Sequence, residues 1–235
     1  MALNLTTFSI VARDPLTNNL GIAVSTKVPA VGSLCPFIEH GVGAVATQAW
    51  VNPSLGPAVL AKIKSGLNAL DALNQVMTLE LDPQLRQVGV VDFNGASASY
   101  TGLDNDSWAG HANGTNYSIQ GNMLINKNTV LAMEKTFLNA QNASLSERLL
   151  LALESGQNAG GDKRGRQSAA LLVRNGEVFP LVDLRVDEHE NPVIELRRVY
   201  EIAKVELFPF LKVLPTPLNP RGDFEKVRTQ IAPKK

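Results

Sequence analysis

The densest set of reactive side chains in this sequence is Gly160-Gly161-Asp162-Lys163-Arg164-Gly165-Arg166-Gln167-Ser168. Charges packed among glycines mark a surface loop, and loops on a rigid scaffold carry much of binding and catalysis. Arg164 and Arg166 offer planar guanidinium groups that match a substrate carboxylate. The string is not a phosphate loop, because it lacks the Gly-Lys-Ser/Thr ending and a strand-to-helix setting. Other polar residues collect at the ends of apolar runs: Ser25-Thr26-Lys27, Thr47-Gln48 with Asn52 close behind, and Asn122 after Gln120-Gly121. His40, His111 and His189 are far apart and have no metal-ligand spacing. Neither a metal nor a cofactor is expected. The single Cys35 reads as a small buried thiol.

The elements that must position these residues begin with strands. Phe8 to Ala12 and Leu20 to Val24 flank a turn cluster at Asp14 to Asn19, which is a hairpin signature. Gly41 to Ala49 is a third strand, whose small side chains suit a crowded position. Ser54 and Asn68 are placed to cap two helices, with Pro83 closing the second. Asn94-Gly95 turns Val88–Asp92 onto Ala96–Thr101. A Gly/Asn-rich loop from Ala109 leads to a strand at Tyr117 to Leu124. One helix runs from Asn128 with Val130, Met133, Phe137 and Leu138 on one face. The next opens at the capping box Ser144-Leu-Ser-Glu147 and stops at Gly156. Gln167 to Arg174 is a strand, turned by Asn175-Gly176 onto Val178 to Val182. A last helix starts at Asn191-Pro192, with Ile194, Val199 and Ile202 apolar, and ends near Phe208-Pro209.

Antiparallel hairpins followed by helices in pairs fit two sheets sandwiched between helix layers. The expected organisation is one domain over 1–208 and a C-terminal arm over 209–235, rich in Pro and charge. Leu207, Phe208, Phe210 and Leu211 near the chain end suggest a homo-oligomer contact. Lys+Arg and Asp+Glu both number 22, so there is no basic excess for nucleic acid. One cysteine makes no internal disulfide, the N-terminus has no signal-peptide pattern, and no run is long enough to span a membrane. The expected location is the cytoplasm.

The strings Thr7–Asp14, GIAVSTK (21–27), GVGAVATQAW (41–50), RQVGVVD (86–92), WAGH (108–111), SIQGNML (118–124), AGGDKRGRQSAALLV (159–173) and VDLRVD (182–187) occur in that order. Together they resemble a bacterial domain-of-unknown-function family assigned to the Ntn-hydrolase superfamily. The resemblance spans roughly Thr7 to Leu196. It implies an α+β fold, a four-layer αββα sandwich. It also implies hydrolysis of a C–N amide bond in a small molecule or peptide. In such enzymes a Thr, Ser or Cys opening a strand is the nucleophile, and its own α-amine is the base. Thr7 holds that place, and six residues precede it as a leader. Cleavage between Thr6 and Thr7 would free the amine.

The same resemblance gives the other site residues their expected parts. Ser25 and Lys27 stand where the proteasome-like branch places a carboxylate near the second strand's end, although Ser25 carries none. Lys27 is expected near Thr7, depressing its pKa. Thr47 and Gln48 fall where the fold builds its oxyanion hole. Gln48 is expected to orient substrate, with Asn52 and Asn122 as further polar contacts. Asp162 and Ser168 match an Asp and a Ser brought close to the nucleophile. Two alternatives remain open at this level. One is a hydrolase with an internal nucleophile or activated water, using Asp162 or Lys27 as base. The other is a non-catalytic ligand-binding or assembly protein on the same scaffold.

Overall fold

The first turn cluster reverses the chain at Asp14–Asn19, so β1 (Thr7–Arg13) pairs antiparallel with β2 (Leu20–Thr26). These two strands are the middle of a six-stranded sheet. Its order is β10–β9–β2–β1–β8–β7, with β7 at Gly110–Gly114, β8 at Tyr117–Asn122, β9 at Ser168–Arg174 and β10 at Val182–Val186. A four-stranded sheet faces it, in the order β3–β4–β5–β6. Its strands are Pro36–Glu39, Gly43–Ala49, Arg86–Asp92 and Ser97–Thr101. This computed structural model describes residues 7–105 and 108–226. Residues 1–6, read as a leader, and the end of the C-terminal arm from 227 lie outside the described residues.

Helices cover both outer faces. On the smaller sheet lie α1 (Leu55–Lys64) and α2 (Ala69–Leu79). On the larger lie α3 (Asn128–Asn139), α4 (Leu145–Asn158) and α5 (Pro192–Glu206), followed by the short α6 (Phe208–Leu211). The result is an α+β protein, a four-layer αββα sandwich. No described helix is long and apolar enough to cross a membrane. Strand pleating divides the residues of β1 between layers. Phe8, Ile10 and Ala12 pack outward with Leu149, Leu150 and Leu153 of α4. Burying each of the large ones, Phe8, Ile10 and the three leucines, contributes roughly 1.5–3 kcal/mol. Thr7, Ser9 and Val11 point inward. There Val11 joins Leu20, Ile22, Val24, Ala44 and Ala46 between the sheets.

Several local expectations change in three dimensions. Two strands appear that periodicity did not signal. β3 starts at a proline on a sheet edge, where a missing N–H is tolerated. β7 (GHANG) is the opposite edge of the other sheet and lacks an apolar face. Strand β10 is Val182–Val186, not 178–182, because the buried/exposed alternation falls on Val-Asp-Leu-Arg-Val. Helix α4 continues through Gly156 to Asn158. That glycine lets the helix approach the sheet, since a Cβ there would lie 2.7 Å from Met133 and 3.3 Å from Phe8. Asn68 caps α2 by accepting from the Asp71 amide, but Ser54 makes no capping bond to α1. On α5 the core face is Val193, Leu196, Tyr200 and Ala203, while Ile194 and Ile202 face outward. Phe208 packs edge-on to Tyr200, and Phe210 lies against Phe224, while Leu207 stays exposed.

The polar half of the inter-sheet space depends on the missing side chain of Gly89. A Cβ there would sit 2.0 Å from Gln120 Oε1, an atom held by Ser118. Gly89→Ala is expected to lower unfolding free energy by about 2 kcal/mol, the usual cost of overpacking. Urea denaturation measures it.

Candidate functional site

Thr7 is the first described residue of the central strand β1, and its flanking partners fix its surroundings. It pairs with Thr26 on β2 and Asn122 on β8. Its hydroxyl lies 3.1 Å from the Thr26 hydroxyl. Among the described residues no ionisable side chain hydrogen-bonds that oxygen. Gln48, reaching across from β4, donates from Nε2 to the Thr7 carbonyl at 3.2 Å and to Gln87 Oε1 at 2.8 Å. Gln48 Oε1 accepts from Ser9 at 2.6 Å, and Ser9 accepts from Gln120 Nε2 at 2.6 Å. Gln87 also accepts from Asn122 Nδ2 at 2.9 Å and donates to the Gly121 carbonyl at 2.9 Å. All these side chains are buried, and within the chain of bonds only Asn122 Oδ1 lacks a partner.

A small cavity opens beside Thr7. Thr7, Thr26, Thr47 and Gln48 give it polar edges, while Val31, Cys35 and other apolar residues line the rest. Its volume is about 30 Å³. The backbone around this end of the sandwich is strained. Among the described residues five non-glycines have positive φ. Two are asparagines in turns, a residue that tolerates this conformation. The other three are Ala30 (φ 56°), Ala49 (φ 68°) and Met123 (φ 49°). Ala49 lines the cavity, Ala30 precedes cavity residue Val31, and Met123 follows Asn122. Left-handed conformations in such residues cost about 1 kcal/mol or more each and gather at functional sites.

The residues expected from sequence are only partly assembled around Thr7. Gln48 and Asn122 come to it, directly or through Gln87. Ser25 does not. It pairs with Phe8, one pleat away, and donates to the Ser168 carbonyl at 3.2 Å, so Thr26 takes the place beside Thr7. Lys27 follows Ser25's side of the pleat, and its ammonium donates to the Arg166 carbonyl at 3.1 Å. Thr47 offers no oxyanion donor: its amide is taken by the Cys35 carbonyl at 3.1 Å and its hydroxyl by the Asn52 carbonyl at 3.2 Å. The Asn52 side chain donates to Glu80 at 2.8 Å, away from the cavity. Burial alone would raise the Glu80 pKa. Hydrogen bonds from Arg86, Asn52 and the Asp82 amide outweigh it and hold the carboxyl below its ordinary value.

The charged loop serves the wall of the site. Asp162 Oδ1 accepts from the Arg164 amide at 2.7 Å, and Oδ2 accepts from the Lys27 amide at 3.1 Å and Arg164 Nη2 at 3.1 Å. Burial pushes the Asp162 carboxyl above its ordinary value, and these donors only partly offset that. Ser168 Oγ donates to the Val28 carbonyl at 2.5 Å and accepts from the Val31 amide at 3.2 Å, clamping the turn that walls the cavity. Arg164 folds onto Asp162, whereas Arg166 Nη1 reaches Asn191 Oδ1 at 2.9 Å. The two guanidiniums therefore form no common fork. Among the described residues no group of three or more His, Cys, Asp or Glu is arranged to hold a metal ion.

The sequence reading missed Thr26, Ser9, Gln87 and the part played by Gln120. A signal existed: Thr7/Ser9 and Ser118/Gln120/Asn122 are polar residues at period two within strands. Such spacing puts them on one buried face.

Two measurements follow from this geometry. Asp162→Ala removes the acceptor of the Lys27 and Arg164 amides and of the Arg164 guanidinium, and is expected to cost about 3 kcal/mol in denaturant melts. Burial pushes the Cys35 thiol up to about 12, so it stays protonated near neutral pH. A thiol reagent at pH 8 is expected to label it quickly only after unfolding.

The family of unknown function DUF1028 matches residues 7–196. A protein of that family from Silicibacter pomeroyi, known as a crystal structure, is 30% identical. The alignment covers 92% of this chain and 98% of that one, with a TM-score of 0.84. Anbu (ancestral beta-subunit) from Yersinia bercovieri aligns over 86% of this chain and 96% of its own, at 11% identity. Its TM-score of 0.37 carries no structural argument. No curated protein matches. The extent of the family match and the Silicibacter pomeroyi structure agree that this chain belongs to the DUF1028 family.

Proposed function

We propose that this protein is an Ntn-type amidohydrolase whose nucleophile is the Thr7 hydroxyl and whose base is the Thr7 α-amine. The observation that carries this reading is the setting of Thr7. A buried threonine, the first described residue of a central strand, lines a cavity, and the hydrogen-bond partner of its hydroxyl is another hydroxyl. A hydroxyl is not a base at neutral pH. A free α-amine, with a pKa of about 7.7–8.0, is substantially neutral there and belongs to the same residue. Cleavage between Thr6 and Thr7 supplies it.

The chemistry is acyl transfer in two steps. The amine takes the hydroxyl proton as Oγ1 bonds to the amide carbon. The C–N bond then breaks, and the proton passes to the leaving nitrogen. Water, deprotonated by the same amine, releases the acid from the acyl-enzyme. Gln48 holds the Thr7 carbonyl and thereby the orientation of the nucleophilic residue. Asp162 is a weak candidate for an alternative base, because its carboxylate is spent on the amides of Lys27 and Arg164 and on the Arg164 side chain.

Intact mass is the first test, with loss of residues 1–6 expected. In the processed protein, amide hydrolysis is expected to rise with pH through about 8 as the amine loses its proton. Thr7→Ala should reduce it by roughly a thousandfold or more, and Thr7→Ser should retain part of it. Full activity in a chain that keeps its first six residues would overturn the reading.

A further inference from the structure

We infer that the cavity beside Thr7 takes a small, uncharged aliphatic group, the acyl side of the substrate, and excludes charged and aromatic ones. Placing the acyl group there rests on Thr7 being the nucleophile; the chemistry of the cavity does not.

Three observations carry this. The first is the lining. No described residue lining the cavity is charged, and Val28, Pro29, Val31, Cys35, Ala49 and Val51 supply most of the described wall. An ion entering would lose its hydration without a counter-charge, which costs several kcal/mol. The nearby charges lie outside the lining and point elsewhere. Lys27 Nζ donates to the Arg166 carbonyl, and Asp162 is engaged by Arg164. The polar groups on the edge are also occupied. Gln48 is bonded through both its nitrogen and its oxygen, and Thr47 through both its amide and its hydroxyl.

The second observation is size. A water needs roughly 10–15 Å³ of such volume, so about 30 Å³ admits two or three groups the size of water or methyl. Acetyl, propionyl and isobutyryl groups fit, and a phenyl ring does not.

The third is that the wall resists widening. Ser168 ties the Val28 carbonyl to the Val31 amide, the Ala30 amide donates to the Asp187 carbonyl at 2.9 Å, and the Cys35 amide donates to the Val31 carbonyl at 3.1 Å. Val31 and Cys35 are themselves buried in the apolar cluster between the sheets. Side-chain identity on this wall therefore sets what enters, with Val31 as the specificity residue on its buried side.

Binding of isobutyramide, succinamate and benzamide to the full chain and to Thr7→Ala, followed by amide chemical shifts, tests the inference. Isobutyramide is expected to perturb Val31, Cys35 and Ala49 in both proteins, at least about tenfold more tightly than either other probe. Val31→Ala is expected to raise the affinity for pentanamide relative to isobutyramide by about tenfold, the worth of a methylene in an apolar pocket. Leu34→Ala, at the exposed rim, gives a second variant should Val31→Ala not fold, and is expected to shift the same ratio in the same direction. Succinamate or benzamide binding as tightly as isobutyramide, or isobutyramide perturbing a different region, would overturn the inference. The two readings separate cleanly. Isobutyramide bound at these residues without hydrolysis by the processed chain removes the Thr7 nucleophile and leaves the cavity as proposed. Hydrolysis that favours a charged acyl group keeps the nucleophile and removes the aliphatic pocket.

Discussion

The chain of hydrogen bonds through Gln48, Gln87, Ser9 and Gln120 joins the two sheets where an apolar core would ordinarily do so. Each of these groups has left water, and an unpaired buried amide costs about 1–3 kcal/mol. The network is therefore tolerable only when its members meet in one arrangement. A slip of either sheet by one residue would turn these side chains to the helix layers and strand them among leucines. The polar stripe thus fixes how the sheets face each other. It also reaches the Thr7 carbonyl, so the same constraint that sets the sandwich holds the candidate nucleophile. Gly89 belongs to this arrangement, because its bare backbone is what makes room for Gln120.

Around that fixed point the structure divides into a well-packed body and a strained end. Away from Thr7 the layers are joined by large apolar side chains such as Phe137, Met133 and Leu149. At Thr7 the chain leaves β4 through Ala49, leaves β8 through Met123 and enters the cavity wall after Ala30, all at positive φ. Surrounding structure must hold such residues in place. The Glu80–Arg86 pair does so beside the β4 exit: Arg86 Nη1 donates to the Trp50 carbonyl at 2.6 Å, and Asn52 joins Glu80. The Asp162 and Ser168 bonds do it for the turn from Lys27 to Val31. Charges that look chemical in the sequence are here the braces of a neutral cavity.

Much of the fold was legible from the chain alone because it is local. The Asn94-Gly95 turn, the Asn68 cap, the Ser144 cap and the Val130, Met133 and Phe137 period of α3 each depend on residues a few positions apart. Leu138, expected on that face, is exposed, and Glu147 turns to Arg197 instead of closing a capping box. Antiparallel hairpins interleaved with helix pairs leave few ways to bury every apolar face, and the αββα sandwich is one of them. The edge strands β3 and β7 were not legible, because an edge pays little for apolar alternation and theirs is absent.

Thr7 and Gln48 as polar residues within apolar strands were likewise determined by sequence. Only the tertiary structure decided who stands beside them. Ser25 and Thr26 are adjacent in the chain, but the pleat sends one to the helix layer and the other to Thr7. Lys27 and Asp162 are 135 positions apart, and their contact is a backbone amide on a carboxylate rather than an ion pair. Neighbouring residues Arg164 and Arg166 turn to opposite partners, Asp162 and Asn191. Sequence spacing fixes direction only along one element. Which side chains converge across the gap between sheets depends on register and layer order, and those exist only once the whole chain has packed.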